Sequence, residues 1–148
     1  MSGPAQATKE SMDPILAEYS QMRSYAESIR QQLEMASGVL TEFSLSKASL
    51  EEIKKREGEG ETLIHIGAGN YVRTQLHDVK TVVVGIGAGV SVEKPIDEAV
   101  TEIEQRMKNA QEQINSMQNQ YSQVIARMGQ LQGRLDQMYS QLQASGQV

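Results

Sequence analysis

The feature that most constrains this chain is a pair of long heptad repeats on either side of a short segment rich in glycine and β-branched residues. In both repeats apolar residues recur at alternating spacings of three and four, which is the pattern of a coiled-coil helix. The segment between them contains Ile-Gly-Ala-Gly twice, at residues 66–69 and 86–89. This order predicts that the two helices fold back on each other as an antiparallel pair within one chain.

The first repeat predicts a coiled-coil helix over residues 13–57. Asp13 and Pro14 fit an N-cap followed by proline at the first helical position. The basic run at 54–56 then falls in the last turn, where cations complement the helix dipole, and Gly58 can take a left-handed cap conformation. We therefore interpret the basic run as a helix terminus and not as a polyanion site. The seam consists of Met12, Ile15, Tyr19, Met22, Ala26, Ile29, Leu33, Ala36, Leu40, Phe43, Lys47 and Leu50.

The second repeat predicts a coiled-coil helix over residues 95–144. Pro95 lies at or near its first position, and Asp97 and Glu98 place negative charge in the first turn. Its seam consists of Ile96, Val100, Ile103, Met107, Ala110, Ile114, Met117, Tyr121, Val124, Met128, Leu131, Leu135, Met138 and Leu142.

The ends of the predicted helix pair are expected to be soft. Gly129 and Gly133 fall outside the seam near the end of the second helix, and each costs about 1 kcal/mol relative to alanine. Residues 1–12 and 145–148 are predicted to be flexible tails.

The middle segment, residues 60–94, changes to a period of two and predicts two β-hairpins, each turning at a Gly-Ala-Gly with positive φ angles. A lone hairpin is marginal in water, so two small hairpins need partners. Exposed strand edges favour pairing with hairpins of other chains, which predicts an obligate oligomer. The residues predicted to serve this assembly are Leu63, Ile64, Ile66, Gly67, Gly69, Val72, Leu76, Val82, Val83, Val84, Ile86, Gly87, Gly89, Val90 and Val92.

Composition excludes several classes of protein. The chain has 148 residues with one Phe, no Trp and no Cys, so a large aromatic core, a disulfide framework and a thiolate metal site are all excluded. The net charge of −5 speaks against nucleic-acid binding, which needs a concentrated basic face. No apolar run approaches the ~20 residues that cross a bilayer, and because residues 1–11 are small and polar we expect no signal peptide. We expect a cytoplasmic protein.

The glycine-rich segment is a poor match to a nucleotide site. The spacing of Gly85, Gly87 and Gly89 invites comparison with a dinucleotide loop, but Val90 stands where the third glycine of that fingerprint belongs and a strand follows instead of a helix. His65 and His77 lack the companion ligands of a zinc site. Since no catalytic constellation is evident either, we expect no cofactor, no metal and no enzymatic activity.

The hairpin segment carries a family resemblance. The order of coiled-coil helix, two hairpins and coiled-coil helix resembles prefoldin, and the stretches 63–69, 75–79 and 84–94 resemble its alpha-class subunit, most closely the archaeal form. In this family two hairpins mark the alpha class, whereas beta-class subunits have one. The motif is confined to about residues 62–99, because the helices match only as heptads.

The resemblance implies a hexamer of two alpha and four beta subunits, in which the hairpins build an intersubunit β-barrel. It also implies an ATP-independent chaperone that holds unfolded client proteins at the coiled-coil tips and delivers them to a group II chaperonin. The predicted client-binding residues at the tips are Met12, Ile15, Leu16, Tyr19, Met22, Met128, Leu131, Leu135, Met138, Tyr139 and Leu142.

Alternatives remain at the level of sequence. A seam residue is more often coiled-coil core than a client site, so Leu16 and Tyr139, which lie just off the seam, are the better candidates for exposed contact. A second hypothesis is a structural scaffold or filament former that uses the same hairpins without binding clients. A third is a nucleotide binder or enzyme built on the glycine-rich segment.

Overall fold

Two long helices separated by four short strands make up the chain in the computed structural model, which describes residues 7–146. The predicted α+β fold, with two antiparallel hairpins between the helices, is confirmed. The elements are α1 (Lys9–Lys55), β1 (Gly60–Gly67), β2 (Asn70–Leu76), β3 (Thr81–Gly87), β4 (Val90–Pro95) and α2 (Ile96–Ala144).

α1 begins earlier than the sequence predicts. The Thr8 side-chain oxygen accepts the N–H of Ser11 at 3.1 Å, and Ser11 Oγ accepts the N–H of Thr8 at 2.9 Å. This reciprocal capping box starts the helix at Lys9, so Pro14 lies inside it. The predicted N-cap at Asp13 is therefore wrong, and so is a flexible tail reaching residue 12. The rest of the predicted tails, residues 1–6 and 147–148, lies outside the described residues.

α1 ends at its basic residues, as predicted. Glu57 donates its N–H to the carbonyl of Lys54 at 3.0 Å, and Gly58 donates to that of Ile53 at 2.9 Å, which together form a Schellman motif. Gly58 has a positive φ angle of 74°, as predicted, and the φ angle of Glu57 is also positive, at 57°. Glycine is also required at position 58 because a Cβ there would overlap the backbone nitrogen and oxygen of Val79.

The chain divides into two compact units. The first contains the described residues up to Ser37 and from Gln113 onward. Early residues of α1 meet late residues of α2 here, so the helices are antiparallel, as predicted. One buried cluster joins Met12 and Ile15 to Leu131, Leu135 and Leu142, and a second joins Ala26 and Ile29 to Val124.

The second unit spans Gly38–Glu112 and holds both hairpins. Its helices are also antiparallel, since Lys47 Nζ lies 3.3 Å from a carboxylate oxygen of Glu104 and Lys54 Nζ lies 2.6 Å from one of Asp97. Lys47 is the single charged member of the first seam, and the Glu104 carboxylate lies beside its half-buried ammonium group. Among the described residues, every predicted seam position is buried or half-buried, which confirms the heptad assignment.

Each hairpin turns over two residues with positive φ. Ala68 and Gly69 have φ angles of 50° and 76°, and Ala88 and Gly89 have 51° and 74°. This is the type I′ turn that matches the twist of paired strands. The predicted Gly-Ala-Gly turns are therefore confirmed, with an alanine in the left-handed region in each.

α2 starts directly after β4. Pro95 is the last residue of β4, and Asp97 and Glu98 lie in the first helical turn, as predicted. The N–H of Ile96 donates to the carbonyl of Lys80 at 3.1 Å, so the segment between β2 and β3 satisfies the first orphan donor of the helix.

Candidate functional site

The hairpins expose much apolar side-chain surface. Val83 is 73% exposed, Ile66 65% and Tyr71 58%. A hairpin with apolar residues open to water is not independently stable, so these residues require a covering partner. We name the exposed set the hairpin surface; it comprises Leu63, Ile64, Ile66, Tyr71, Val72, Val83, Ile86, Val90 and Val92.

The predicted assembly residues fall into three groups. Leu76, Val82 and Val84 are half-buried and turn toward the helices. The glycines of the predicted set all have positive φ and shape the turns. The remaining members belong to the hairpin surface, which also contains Tyr71, a residue absent from the predicted set. Tyr71 pairs across the strands with His65, and their ring centroids lie 5.1 Å apart.

One arginine holds each hairpin by its first strand: Arg56 directly follows α1, and Arg106 lies in α2. Arg56 Nη1 donates to the main-chain carbonyl of Glu61 in β1 at 3.0 Å. Arg106 Nη2 donates to the main-chain carbonyl of Gly85 in β3 at 3.0 Å. Each arginine also pairs with a glutamate four residues earlier in the chain, Glu52 in one case and Glu102 in the other. Both hairpins are therefore held by the same kind of contact, an arginine that bonds a strand carbonyl and a glutamate.

Glu102 gives the second hairpin an additional connection to α2. One carboxylate oxygen of Glu102 lies 2.5 Å from Lys94 Nζ of β4, and the other lies 2.5 Å from Arg106 Nη2. The hydrogen bond from Lys94, followed by that from Arg106, lowers the pKa of the Glu102 carboxyl below its ordinary value. Both strands of this hairpin are therefore tied to α2, β4 through the Glu102 carboxylate and β3 through the Arg106 guanidinium.

Several of these residues were missed at the level of sequence. Ala99 is fully buried although it lies off the heptad seam, because it faces β3 in a groove lined by Phe43, Val82 and Ile103. The Glu52–Arg56 and Glu102–Arg106 spacings of four residues were visible signals of paired side chains. That the two arginines bond strand carbonyls could not be predicted, because it depends on where β1 and β3 lie relative to the helices.

The predicted tip residues are mostly core in the first unit. Met12, Ile15, Leu131, Leu135 and Leu142 are buried together. Tyr19, Met22, Met128 and Met138 are half-buried around the two clusters. Leu16 and Tyr139 alone of the predicted tip residues are exposed, at 44% and 51%. Leu16 follows Ile15 of the first cluster, Tyr139 follows Met138, which packs against that cluster, and we name this pair the terminal surface.

The described residues give no support for a metal-binding site. Within residues 7–146, no group of three or more His, Asp or Glu side chains could hold a metal ion. No helix in that range is long and apolar enough to span a membrane. The described residues do show exposed apolar side chains, of which the hairpin surface is the largest set.

An antiparallel coiled coil that carries unpaired hairpins between its helices defines a class of protein that works by assembly and surface contact. The chain belongs to the prefoldin family, whose subunit model matches residues 22–141. It is 34% identical over 104 residues to prefoldin subunit alpha 1 of Thermococcus kodakarensis, covering 70% of each chain. It is 32% identical over 128 residues to prefoldin subunit alpha of Pyrococcus horikoshii, covering 86% of each chain.

A solved structure shares the fold. The chain superposes on filamentous PFD from Methanocaldococcus jannaschii with a TM-score of 0.67 and 19% identity, over 79% of this chain and 97% of that one. The predicted resemblance to archaeal alpha-class subunits is thus confirmed. Prefoldin is a family of chaperones and not of enzymes, and its alpha subunits assemble into oligomeric complexes.

Proposed function

We propose that this chain is a subunit of an ATP-independent holdase that captures unfolded client proteins at the free ends of its helices and delivers them to a group II chaperonin. The complex is a hexamer of two alpha and four beta subunits in the cytoplasm, with the hairpins forming an intersubunit β-barrel. Family membership and the exposed hairpin surface support the assembly.

The terminal surface is the observation that carries client capture. Leu16 and Tyr139 remain exposed beside a cluster rich in Leu, Ile and Met. Opening of that cluster at the fraying helix ends adds apolar area, and the flexible methionine side chains adapt to irregular partners. Leu16 and Tyr139 provide the first contact, and the buried tip residues become available when the helices separate.

A matched pair of double variants tests this proposal in the complex with the beta-class subunit. Leu16→Gln with Tyr139→Gln removes the terminal surface. Tyr25→Gln with Ile125→Gln removes a tyrosine and an aliphatic residue of similar exposure, 48% and 43%, from positions outside the terminal surface and the first cluster. Suppression of aggregation of a denatured client should require about fivefold more of the first variant and no more of the second.

Truncation provides the stronger test. Removal of residues 1–22 and 129–148 should leave assembly intact and abolish client protection. If the truncated complex protects clients as well as the full complex, the tip proposal is wrong. If the intact complex gives no protection at all, the chain is instead a structural scaffold.

A further inference from the structure

The first hairpin meets α1 at its base. A groove of about 360 Å³ lies there between Thr62 and Leu76 of the hairpin and Leu45, Ser49 and Ile53 of α1. Thr62, Leu76 and Ile53 are half-buried. Leu45, about two helical turns before Ile53, is 64% exposed. The groove is therefore closed at the hairpin base and open toward Leu45.

The hairpin face that meets α1 continues beyond the groove with apolar residues. Successive side chains of a strand point to opposite faces, so Ile64 lies on the same face of β1 as Thr62. Val72, the cross-strand partner of Ile64, adds to this face from β2. Ile64 is 51% and Val72 46% exposed, whereas Thr62 and its partner Thr74 are half-buried. One end of the face is thus covered by α1, and its apolar end is open to water.

α1 offers an uncharged surface of matching length. The Ser49 hydroxyl already donates to the main-chain carbonyl of Leu45 at 3.0 Å, so Ser49 brings no unsatisfied donor to an apolar contact. Four helical residues rise about 6 Å, and two strand residues rise about 6.6 Å. A hairpin laid antiparallel along α1 therefore places Ile64 over Leu45 when Thr62 lies over Ser49.

The base of the hairpin contains a pivot. Gly58 is fixed, because it packs against the backbone of Val79 and its carbonyl accepts the Val79 N–H at 3.1 Å. Gly60, the first residue of β1, has a φ of 107° and open space around it except for the Arg56 side chain at 3.8 Å. Arg56 holds the carbonyl of Glu61 through a long side chain, which can follow the strand as it tilts. The rigid part therefore ends at Gly58, and the strand can tilt from Gly60 onward.

We propose that the first hairpin of the unassembled chain tilts at Gly60 onto α1 and packs Ile64 and Val72 against Leu45. Closure removes apolar area from water, which favours the closed form when no partner is present. Ile64 and Val72 belong to the hairpin surface, so the closed chain withholds part of that surface from other subunits. The contact is autoinhibitory, and the inference rests on the proposed assembly through the hairpins.

Disulfide trapping tests closure directly, because the chain has no cysteine of its own. Leu45→Cys with Ile64→Cys should form an intramolecular disulfide in the free full-length chain under oxidised glutathione, since closure brings the two Cα atoms within the ~7 Å that the bond allows. Leu45→Cys with Leu63→Cys is the matched control, because Leu63 is similarly exposed but points to the other face of the hairpin. The first pair should close at least about tenfold faster, and equal rates would overturn the proposal.

Assembly with the beta-class subunit tests the consequence of closure. The oxidised Leu45→Cys, Ile64→Cys chain should bind the beta-class subunit at least about tenfold more weakly than the parent, and reduction of the disulfide should restore binding. An oxidised chain that assembles as well as its reduced form would contradict autoinhibition.

A variant without cysteine should shift assembly the other way. Leu45→Gln removes the closing contact and leaves the hairpin surface intact. It should strengthen apparent binding of the beta-class subunit by about threefold or more, because a competent form that is only partly populated weakens binding by that fraction. Met35→Gln, a change at another exposed residue of α1 that lies in the first unit, should leave binding unchanged. Equal or weaker binding by Leu45→Gln would overturn the inference.

Client protection by the reduced and the Leu45→Gln complexes is scored separately. Absence of closure with protection retained removes the inference and leaves the proposed function standing. Closure without protection removes the client role and leaves the autoinhibitory contact standing.

Discussion

Arg127 Nε donates to a carboxylate oxygen of Glu18 at 2.7 Å and joins α1 to α2 within the first unit. Glu18 directly precedes Tyr19, which packs against the cluster that we assign to client capture. Because the two partners belong to different helices, this ion pair opposes separation of the helices near their ends. Its dependence on pH follows from the direction in which it shifts Glu18.

Acidification should weaken this cross-helix contact. The hydrogen bond from Arg127 lowers the pKa of Glu18 below its ordinary value of 4.5. A carboxyl with a depressed folded-state pKa stabilises the fold above its unfolded pKa, and that stability is lost as pH falls through the folded pKa. A double-mutant cycle of Glu18→Gln and Arg127→Gln, followed by thermal unfolding, should give a coupling at neutral pH that disappears well below pH 4.5. An unchanged coupling in acid would contradict this.

Alanine at Gly58 should destabilise the second unit by more than about 1 kcal/mol, because the left-handed φ and the backbone of Val79 both oppose a side chain there. Gly60→Ala is the matched control. It has a positive φ of 107° as well, but its nearest neighbour is the Arg56 side chain at 3.8 Å. Chemical denaturation of both variants should give the larger loss at Gly58, and equal losses would show that Val79 plays no part.

Replacing a turn alanine with asparagine should stabilise the chain. Ala68 has a φ of 50°, and left-handed geometry costs an alanine about 1–2 kcal/mol. Asparagine tolerates this geometry, and Asn-Gly is a favoured type I′ turn. Ala68→Asn should therefore raise the free energy of unfolding by about 1 kcal/mol. The same change at Ala48, exposed in α1, should lower it by about 0.6 kcal/mol, since asparagine is a poorer helix former.

Replacing the helical glycines near the end of α2 with alanine should also stabilise the chain. Gly129→Ala and Gly133→Ala should each stabilise the chain by about 1 kcal/mol, because α2 is continuous there and no atom lies within 4 Å of the added Cβ. Gly67→Ala should do the opposite, since its φ is 103°. Thermal unfolding of the three variants gives the comparison, and a loss of stability at Gly129 would reveal a packing role.

Much of the fold was predictable because its information is local. The alternating spacing of three and four identified the seam in both helices, and the structure buries or half-buries every position of it in the described range. The Gly-Ala-Gly turns were predictable for the same reason, since a two-residue hairpin requires positive φ. The family was expected from a resemblance carried by residues 63–69, 75–79 and 84–94, and the comparisons confirmed it.

Other features depended on atoms that sequence spacing does not locate. Asp13 and Pro14 form a plausible start signal, but the Thr8 and Ser11 side chains close a capping box earlier, and the helix tolerates the proline in its second turn. The burial of Ala99 likewise depends on the return of β3 over the helices. Off the seam, a residue's surroundings are set by a neighbour distant in sequence.

The sequence by itself determined two heptad helices and two hairpins, because backbone conformation and the period of apolar burial are encoded within a few residues. Only the tertiary structure decided that most tip residues are core with Leu16 and Tyr139 left exposed, and that Arg56 and Arg106 cover β1 and β3. The reason is physical: exposure and strand-edge accessibility depend on which surfaces meet when the chain folds back, and that meeting is a property of three-dimensional distance.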